Sequence, residues 1–401
     1  MDSISNSNVL SKYLSFLHLD EYDLSVFDRY KQKLKTADCI RLFIVAHLMG
    51  YKSSRDIEKA VRAEKSLQVW VQADSISHSQ LTRKLPQIPT EILEHLLVGM
   101  VKRIQDLSPS RPGILKSGKL GIVDSTTLSI PAGLGEWAYV SKHQTMVKMH
   151  LRLVVESPDT LVPEAIIPTT GNVSDHTVAT QLLIAKEVLY VLDRGYVKYA
   201  RLDEWAEAGF HYVIRINEKH VATVLESYAI PPNSRIVRDA RVRMGSSFAS
   251  MKQEVRLVEY HDEKGRLYRV VTTRFDLSAE EIAEIYRKRW IIELFFKWLK
   301  QREALVKLYS YKPQAVWNTM YLCLLAYCLM LLVKLTDLST LPNREVWRTL
   351  QHFAYKSWTV CHAELHRKPT RRSKGRQPSK EEQEPASLQT TVGVYKPSEK
   401  K

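Results

Sequence analysis

Cysteine is scarce in this chain. Four occur in 401 residues, Cys39, Cys323, Cys328 and Cys361, with no Cys-x-x-Cys pair and no metal-ligand spacing. That speaks against a disulfide scaffold or a thiolate zinc site and leaves reduced, buried thiols, as expected of a cytoplasmic protein. The first ten residues, MDSISNSNVL, show no basic segment and no long apolar core, so no signal peptide is read there. The one membrane-like run, Met320 to Val333, is shorter than the roughly 20 residues a span needs. A buried core helix is expected instead, with no membrane partner. Neither a GxSxG elbow nor a P-loop is present, and no internal repeat. Acidic residues are outnumbered: 44 Asp and Glu against 59 Lys and Arg leave a net charge of +15. Such a surplus favours a polyanionic partner, with nucleic acid ahead of anionic membrane. Charge alone leaves a merely basic soluble protein open as well.

What is there changes period along the chain. Residues 1–112 read as helical. Ala37 to Met49 is a periodic apolar helix closed by Gly50, Ser53 and Ser54 can cap SSRDIEKAVR, and Ser75 to Leu85 is a short helix ended by Pro86. A helix, a tight turn and a helix bearing hydroxyl, His, Gln and Arg side chains suit a DNA-binding module, and equally a plain bundle. At Lys119 the pattern turns to alternation. LGIVDSTTLSI, MVKMHLRLVVE and LVPEAIIP read as successive strands. A helix over Asp175 to Glu187, the buried run VLYVLD, a helix over Tyr199 to Ala208 and the strand HYVIRI follow. Three strands, helix, strand, helix, strand is the order of a ribonuclease H-like core: an α/β fold with a mixed five-stranded sheet and flanking helices. That core is expected over 113–216 and 277–365. Residues 217–276 form a β-rich insertion with the hairpin VRLVEYH, DEKG, RLYRVVTTRF. Residues 366–401 are Pro-containing, densely charged and expected to be disordered.

The stretch Ser278 to Arg302 stands apart. Read as one helix, capped by Ser278 with Glu281, it stacks Tyr286, Arg289, Glu293, Lys297 and Lys300 into one polar stripe. Ile285, Ile292, Phe296 and Leu299 flank one edge; Trp290, Leu294 and Trp298 flank the other. An ordinary salt-bridge ladder shares that charge spacing, but the apolar surround points to a buried helix with a lone carboxylate at the floor of a cleft.

Two aspartates complete the pattern. Asp124 follows the apolar run of the first strand, and Asp193 ends the buried fourth. A carboxylate there is costly unless used or paired. In this strand order the first and fourth strands are neighbours, so Asp124 and Asp193 can converge, with Glu293 as a third ligand. Three oxygen donors without His or Cys suit two Mg²⁺ (or Mn²⁺) ions. Arg289, Lys297 and Lys300 would hold phosphates, and Tyr286 a sugar or phosphate. Asp175 is by default a helix N-cap, with His176 beside it.

Tyr286, Arg289, Glu293 and Lys300 at these spacings resemble the YREK motif of DDE transposases of the insertion-sequence-4 family. Asp124-Ser125-Thr126 and Asp193-Arg194-Gly195-Tyr196 resemble the family's two aspartate motifs. The similarity runs from about Ile114 to Tyr327. The resemblance implies Asp124, Asp193 and Glu293 as catalytic ligands of two divalent ions, with Tyr286, Arg289, Arg194, Lys297 and Lys300 around the DNA. It implies binding of terminal inverted repeats by the N-terminal region, a synaptic homodimer, and cut-and-paste strand cleavage and transfer on double-stranded DNA. Some relatives stack a flipped base on a Trp of the insertion. No Trp lies between Trp205 and Trp290 here, which leaves that route open or hands it to Tyr260 or Tyr268. A nuclease that cuts without joining, and a DNA-binding relative without chemistry, remain alternatives.

Overall fold

The computed structural model describes residues 8–30, 33–108, 118–142, 144–157, 159–246, 249–302 and 308–367. The basic tail expected to be disordered lies, from residue 368 on, outside them.

The first third is helical: α1 (Val9–Ser15), α2 (Thr36–Met49), α3 (Ser54–Ala63), α4 (Lys65–Val71), α5 (His78–Lys84) and α6 (Thr90–Leu107). Local chemistry sets their ends. Ser53 accepts from Asp56 N to start α3, and Ser77 with Gln80 forms a capping box on α5. Gly50, at φ 68°, closes α2 in the left-handed region.

The strands follow as β1 (Lys119–Ser129), β2 (Tyr139–Ser141), β3 (Gln144–Ser157), β4 (Thr160–Thr170), β5 (Val188–Leu192) and β6 (His211–Arg215), with α7 (Asp175–Leu182) and α8 (Tyr199–Glu207) between the last three. β4, β3, β1, β5 and β6 lie side by side in that order. β3 is antiparallel to β1 and β4, whereas β1, β5 and β6 are parallel. This is a ribonuclease H-like sheet, as the element order predicts. Helix α7 ends five residues before the expected Glu187. The Tyr190 hydroxyl sits among the Ile184 and Ala185 amides and the Ala185 carbonyl, and holds that backbone out of the helix.

The insertion is not a separate sheet. Its strands are β7 (Ala222–Ser227), β8 (Ile236–Ser246), β9 (Ala249–Ser250), β10 (Val255–His261) and β11 (Leu267–Thr272). β11 pairs antiparallel with β6, so the five-stranded sheet is one end of a sheet of eleven strands. The predicted hairpin is β10–β11, with Tyr260 opposite Tyr268.

The stretch expected as one helix is two, α9 (Ala279–Arg287) and α10 (Trp290–Arg302). At the junction the bonds shorten to i→i+3: Arg289 N to Tyr286 O at 3.0 Å, Ile291 N to Lys288 O at 3.0 Å and Ile292 N to Arg289 O at 3.2 Å. The surround also differs from the expectation. Ile285, Ile292, Phe296 and Leu299 are buried, but Trp290 and Leu294 are exposed, at 46% and 44%.

Last come α11 (Pro313–Thr336), α12 (Asn343–His352) and α13 (Trp358–Leu365). α11 is long and apolar enough to cross a membrane, longer than the run that marked it in the sequence, yet 94% of its most apolar window is buried. It packs on α2, α6 and β4. One apolar core therefore runs from Val9 through one face of the sheet to Leu365. A smaller core fills the opposite face, under α7 and α8.

Candidate active site

The two aspartates meet because of register. β1 and β5 pair in parallel with Val123 beside Leu192, so the next residues, Asp124 and Asp193, stand side by side where that pairing ends. Val123 and Leu192 point into the smaller core, and Ile122 and Val191 into the larger. By alternation both carboxylates stand on the larger-core face, against which α9 and α10 pack. The carboxyl ends of parallel strands are where open α/β sheets place their ligands.

Arg289, at the α9–α10 junction, ties the third carboxylate to the first. Its Nη1 donates to Asp124 Oδ2 at 2.9 Å and its Nη2 to Glu293 Oε1 at 2.5 Å. Burial opposes its charge, but the Tyr286 hydroxyl, Asp124, Asp193 and the bond to Glu293 outweigh it and hold the guanidinium above its ordinary range. Tyr286 is buried and donates to Asp193 Oδ1 at 3.2 Å. Both residues therefore face the carboxylates in this structure, where the sequence suggests a phosphate or a sugar.

Asp124 is strongly perturbed. Burial pushes its carboxyl up to about 6, with Asp193 and Glu293 adding repulsion, against the Arg289 charge and the Ser125 amide at 2.8 Å. The site is short of positive charge even with Arg289 in place. That deficit, and a donor set of hard oxygens, fit a divalent cation such as Mg²⁺ or Mn²⁺. The guanidinium stands in for part of that charge between Asp124 and Glu293. Asp124, Asp193 and Glu293 are not, as a set, within the 4.8 Å of one another that a ready three-ligand cluster shows; among the described residues that closeness belongs to Asp337, His362 and His366.

The cleft has a volume of about 540 Å³ and is lined by Asp124, Asp193, Glu293, Lys297 and Lys300 among others. Lys297 is exposed in it. Lys300 is half-buried, donates to Thr127 O at 3.0 Å, and burial lowers its pKa.

The profile of the Transposase DDE domain matches residues 116–329, more than half of the chain. The chain belongs to the DDE transposase family. The "Probable transposase for insertion sequence element IS5377" of Geobacillus stearothermophilus is 32% identical over 256 residues, 63% of this chain and 66% of that protein. A Synechocystis protein assigned as the transposase of insertion sequence element IS4SA is 27% identical over 62% of this chain and 70% of its own length. Among solved structures, a chain of the cryo-EM piggyBac transposase synaptic complex with hairpin DNA aligns over 92% of this chain and 81% of its own, at 10% identity and a TM-score of 0.45. That likeness is too distant to carry an argument.

The carboxylate cleft has a further support in Asp175. Asp175 does not cap α7; Ser174 holds the cap position. The Asp175 carboxylate instead accepts from Ser125 Oγ and Lys148 Nζ, both at 3.1 Å, and faces His150 Nδ1 at 3.5 Å. It thus anchors the residue next to Asp124. A helix-starting Asp carries no sequence mark of such a use. His176 hydrogen-bonds with Ser174.

Arg194 does not line the cleft. It donates to Asn217 and, with Arg215, Lys219 and Arg269, lines a second depression of about 370 Å³ beside the insertion. Tyr260 is buried, and Tyr268 stacks on it at 5.6 Å with the Arg215 guanidinium 4.4 Å from its ring. In the N-terminal region, His78 is held by Glu58, Gln80 by its capping box, and Arg83 by the Ser79 carbonyl.

Proposed function

We propose that this chain is a DNA transposase that uses two Mg²⁺ or Mn²⁺ ions to cut the ends of a mobile element and join them to target DNA. The observation that carries the reading is the parallel register that sets Asp124 beside Asp193, with Glu293 linked to Asp124 through Arg289. Asp124, Asp193 and Glu293 would hold the ions. When bound, such ions activate an attacking oxygen and stabilise the leaving one in phosphodiester chemistry. The chain's own residues do the rest. Tyr286 orients Asp193, Arg289 orients Asp124 and Glu293, and Lys297 with Lys300 grips backbone phosphates at the mouth of the cleft. Asp175 holds Ser125 and with it the strand that bears Asp124.

The proposal extends to the partners. The N-terminal helices read the terminal inverted repeats, the protein acts as a dimer on paired ends, and the work is done on DNA in the cytoplasm. Residues 217–276 serve as an insertion between the second Asp and the Glu, and Arg194 reaches flanking DNA from the second depression.

The test is strand transfer on cognate ends with Asp124→Asn, Asp193→Asn and Glu293→Gln. Each is expected to lower cleavage and joining by at least three orders of magnitude while leaving end binding within a few-fold of wild type. Retained joining in any one of them removes that residue from the ligand set. Cleavage without joined products in the wild type would make the protein a nuclease.

A further inference from the structure

Far along the chain, Asp337 is the C-cap residue of α11, and α13 carries His362 and has His366 as its C-cap residue, one turn on. The two histidines are four residues apart and share a helix face. Both turn Nε2 toward the same carboxylate, His362 at 3.8 Å from Oδ1 and His366 at 3.5 Å from Oδ2. The three ligand atoms lie within 4.8 Å of one another.

These distances are too long for good hydrogen bonds. They run to the two oxygens of one carboxylate and exceed, by a few tenths of an ångström, the edge of a tetrahedron around zinc, which at a metal–ligand distance of about 2.0–2.1 Å is about 3.3 Å. Asp337 Oδ2 is buried and accepts no hydrogen bond, a costly state for a carboxylate oxygen. The position of all three is set by the fold. Asp337 N donates to Val333 O at 3.0 Å, which extends the last turn of α11. Buried Cys361 and Leu365 seat α13, and Ser339 Oγ donates to Leu365 O at 3.2 Å.

We propose that Asp337, His362 and His366 form a zinc site that pins α13 to the end of α11. Two imidazoles and one carboxylate are a zinc ligand set, with a fourth position open to water. They are a poor set for Mg²⁺ or Ca²⁺, which prefer oxygen donors throughout. The site is distinct in ligands and in metal from the carboxylate cleft and does not depend on the function proposed for it.

The experiment uses the full chain without a histidine tag, stripped of metal by a chelator and dialysed. Zinc is titrated calorimetrically in excess Mg²⁺, which occupies oxygen-only sites. One zinc per chain is expected. His362→Gln and His366→Gln should each weaken uptake at least tenfold, and the double variant should lose it, whereas Asp124→Asn should keep it. Both histidines are largely exposed, so these variants should fold, which far-UV circular dichroism checks. Cobalt in place of zinc should give the intense visible bands of a four-coordinate ion, and His366→Cys should retain binding. No uptake by the wild type, or equal uptake by the double histidine variant, overturns the proposal.

Discussion

At the scale of single residues, the site's support contains a titrating group of its own. His150 is fully buried on β3, opposite Ser125 of β1, its Nε2 paired with Thr169 Oγ1 at 2.9 Å and its Nδ1 facing Asp175. Burial, opposed by Asp175 and aided by Lys148, lowers its pKa to about 4. The folded state thus binds the proton more weakly than the unfolded chain, where His titrates near 6.5. Its contribution is complete above that value and is lost as pH falls through about 4. Chemical denaturation should show up to about 3 kcal/mol disappearing over this window, and His150→Gln should flatten that part of the curve. An unchanged slope in the variant would assign the acid sensitivity to other groups.

At the scale of elements, α11 decides how the N-terminal helices meet the central sheet. Asn318 is buried on it, with Nδ2 donating to Leu85 O at 2.9 Å and Ile88 O at 2.8 Å and Oδ1 accepting from Thr90 Oγ1 at 2.7 Å. Both carbonyls belong to the turn that Pro86 imposes after α5. Asn318→Ala leaves these groups without their partners. It should destabilise the protein by about 2 kcal/mol, read as a lower denaturation midpoint. A variant as stable as wild type would mean that water replaces the amide. The α9–α10 junction is a second device of this kind. Its tightened turn lets Tyr286 reach Asp193 while Arg289, three residues on, reaches Asp124 and Glu293.

At the scale of the whole molecule, the excess of cations sets the mode of association. With a net charge of +15, binding to DNA should be dominated by phosphate contacts and should weaken steeply with salt. Lys297→Ala and Lys300→Ala should each reduce the magnitude of the log–log salt slope by about 1, because each removes one phosphate contact. Slopes that match wild type would place the DNA path away from α10.

Much of this was legible in order along the chain. Alternation marks β1, β3 and β4, and the apolar run marks β5, because strand burial is written residue by residue. Caps at Ser53, Ser77 and Gly50 are local chemistry within a few positions. The acidic positions Asp124, Asp193 and Glu293 stand out because a carboxylate beside apolar residues has to be accounted for. The tertiary structure alone decided what those groups touch. Register puts Asp124 beside Asp193, folding brings Asp175 to Ser125, and the sheet takes in the insertion by pairing β11 with β6. The polar stripe on Ser278 to Arg302 reads in the sequence as one metal-ligating carboxylate among cations for DNA; in the fold Tyr286 and Arg289 bond to Asp193, Asp124 and Glu293. His362 and His366 show helical spacing in the sequence, but their partner Asp337 lies on another element. The reason is the same throughout. Secondary structure answers to neighbours a few residues away, whereas convergence of charge answers to pairing and packing between segments that the sequence keeps far apart.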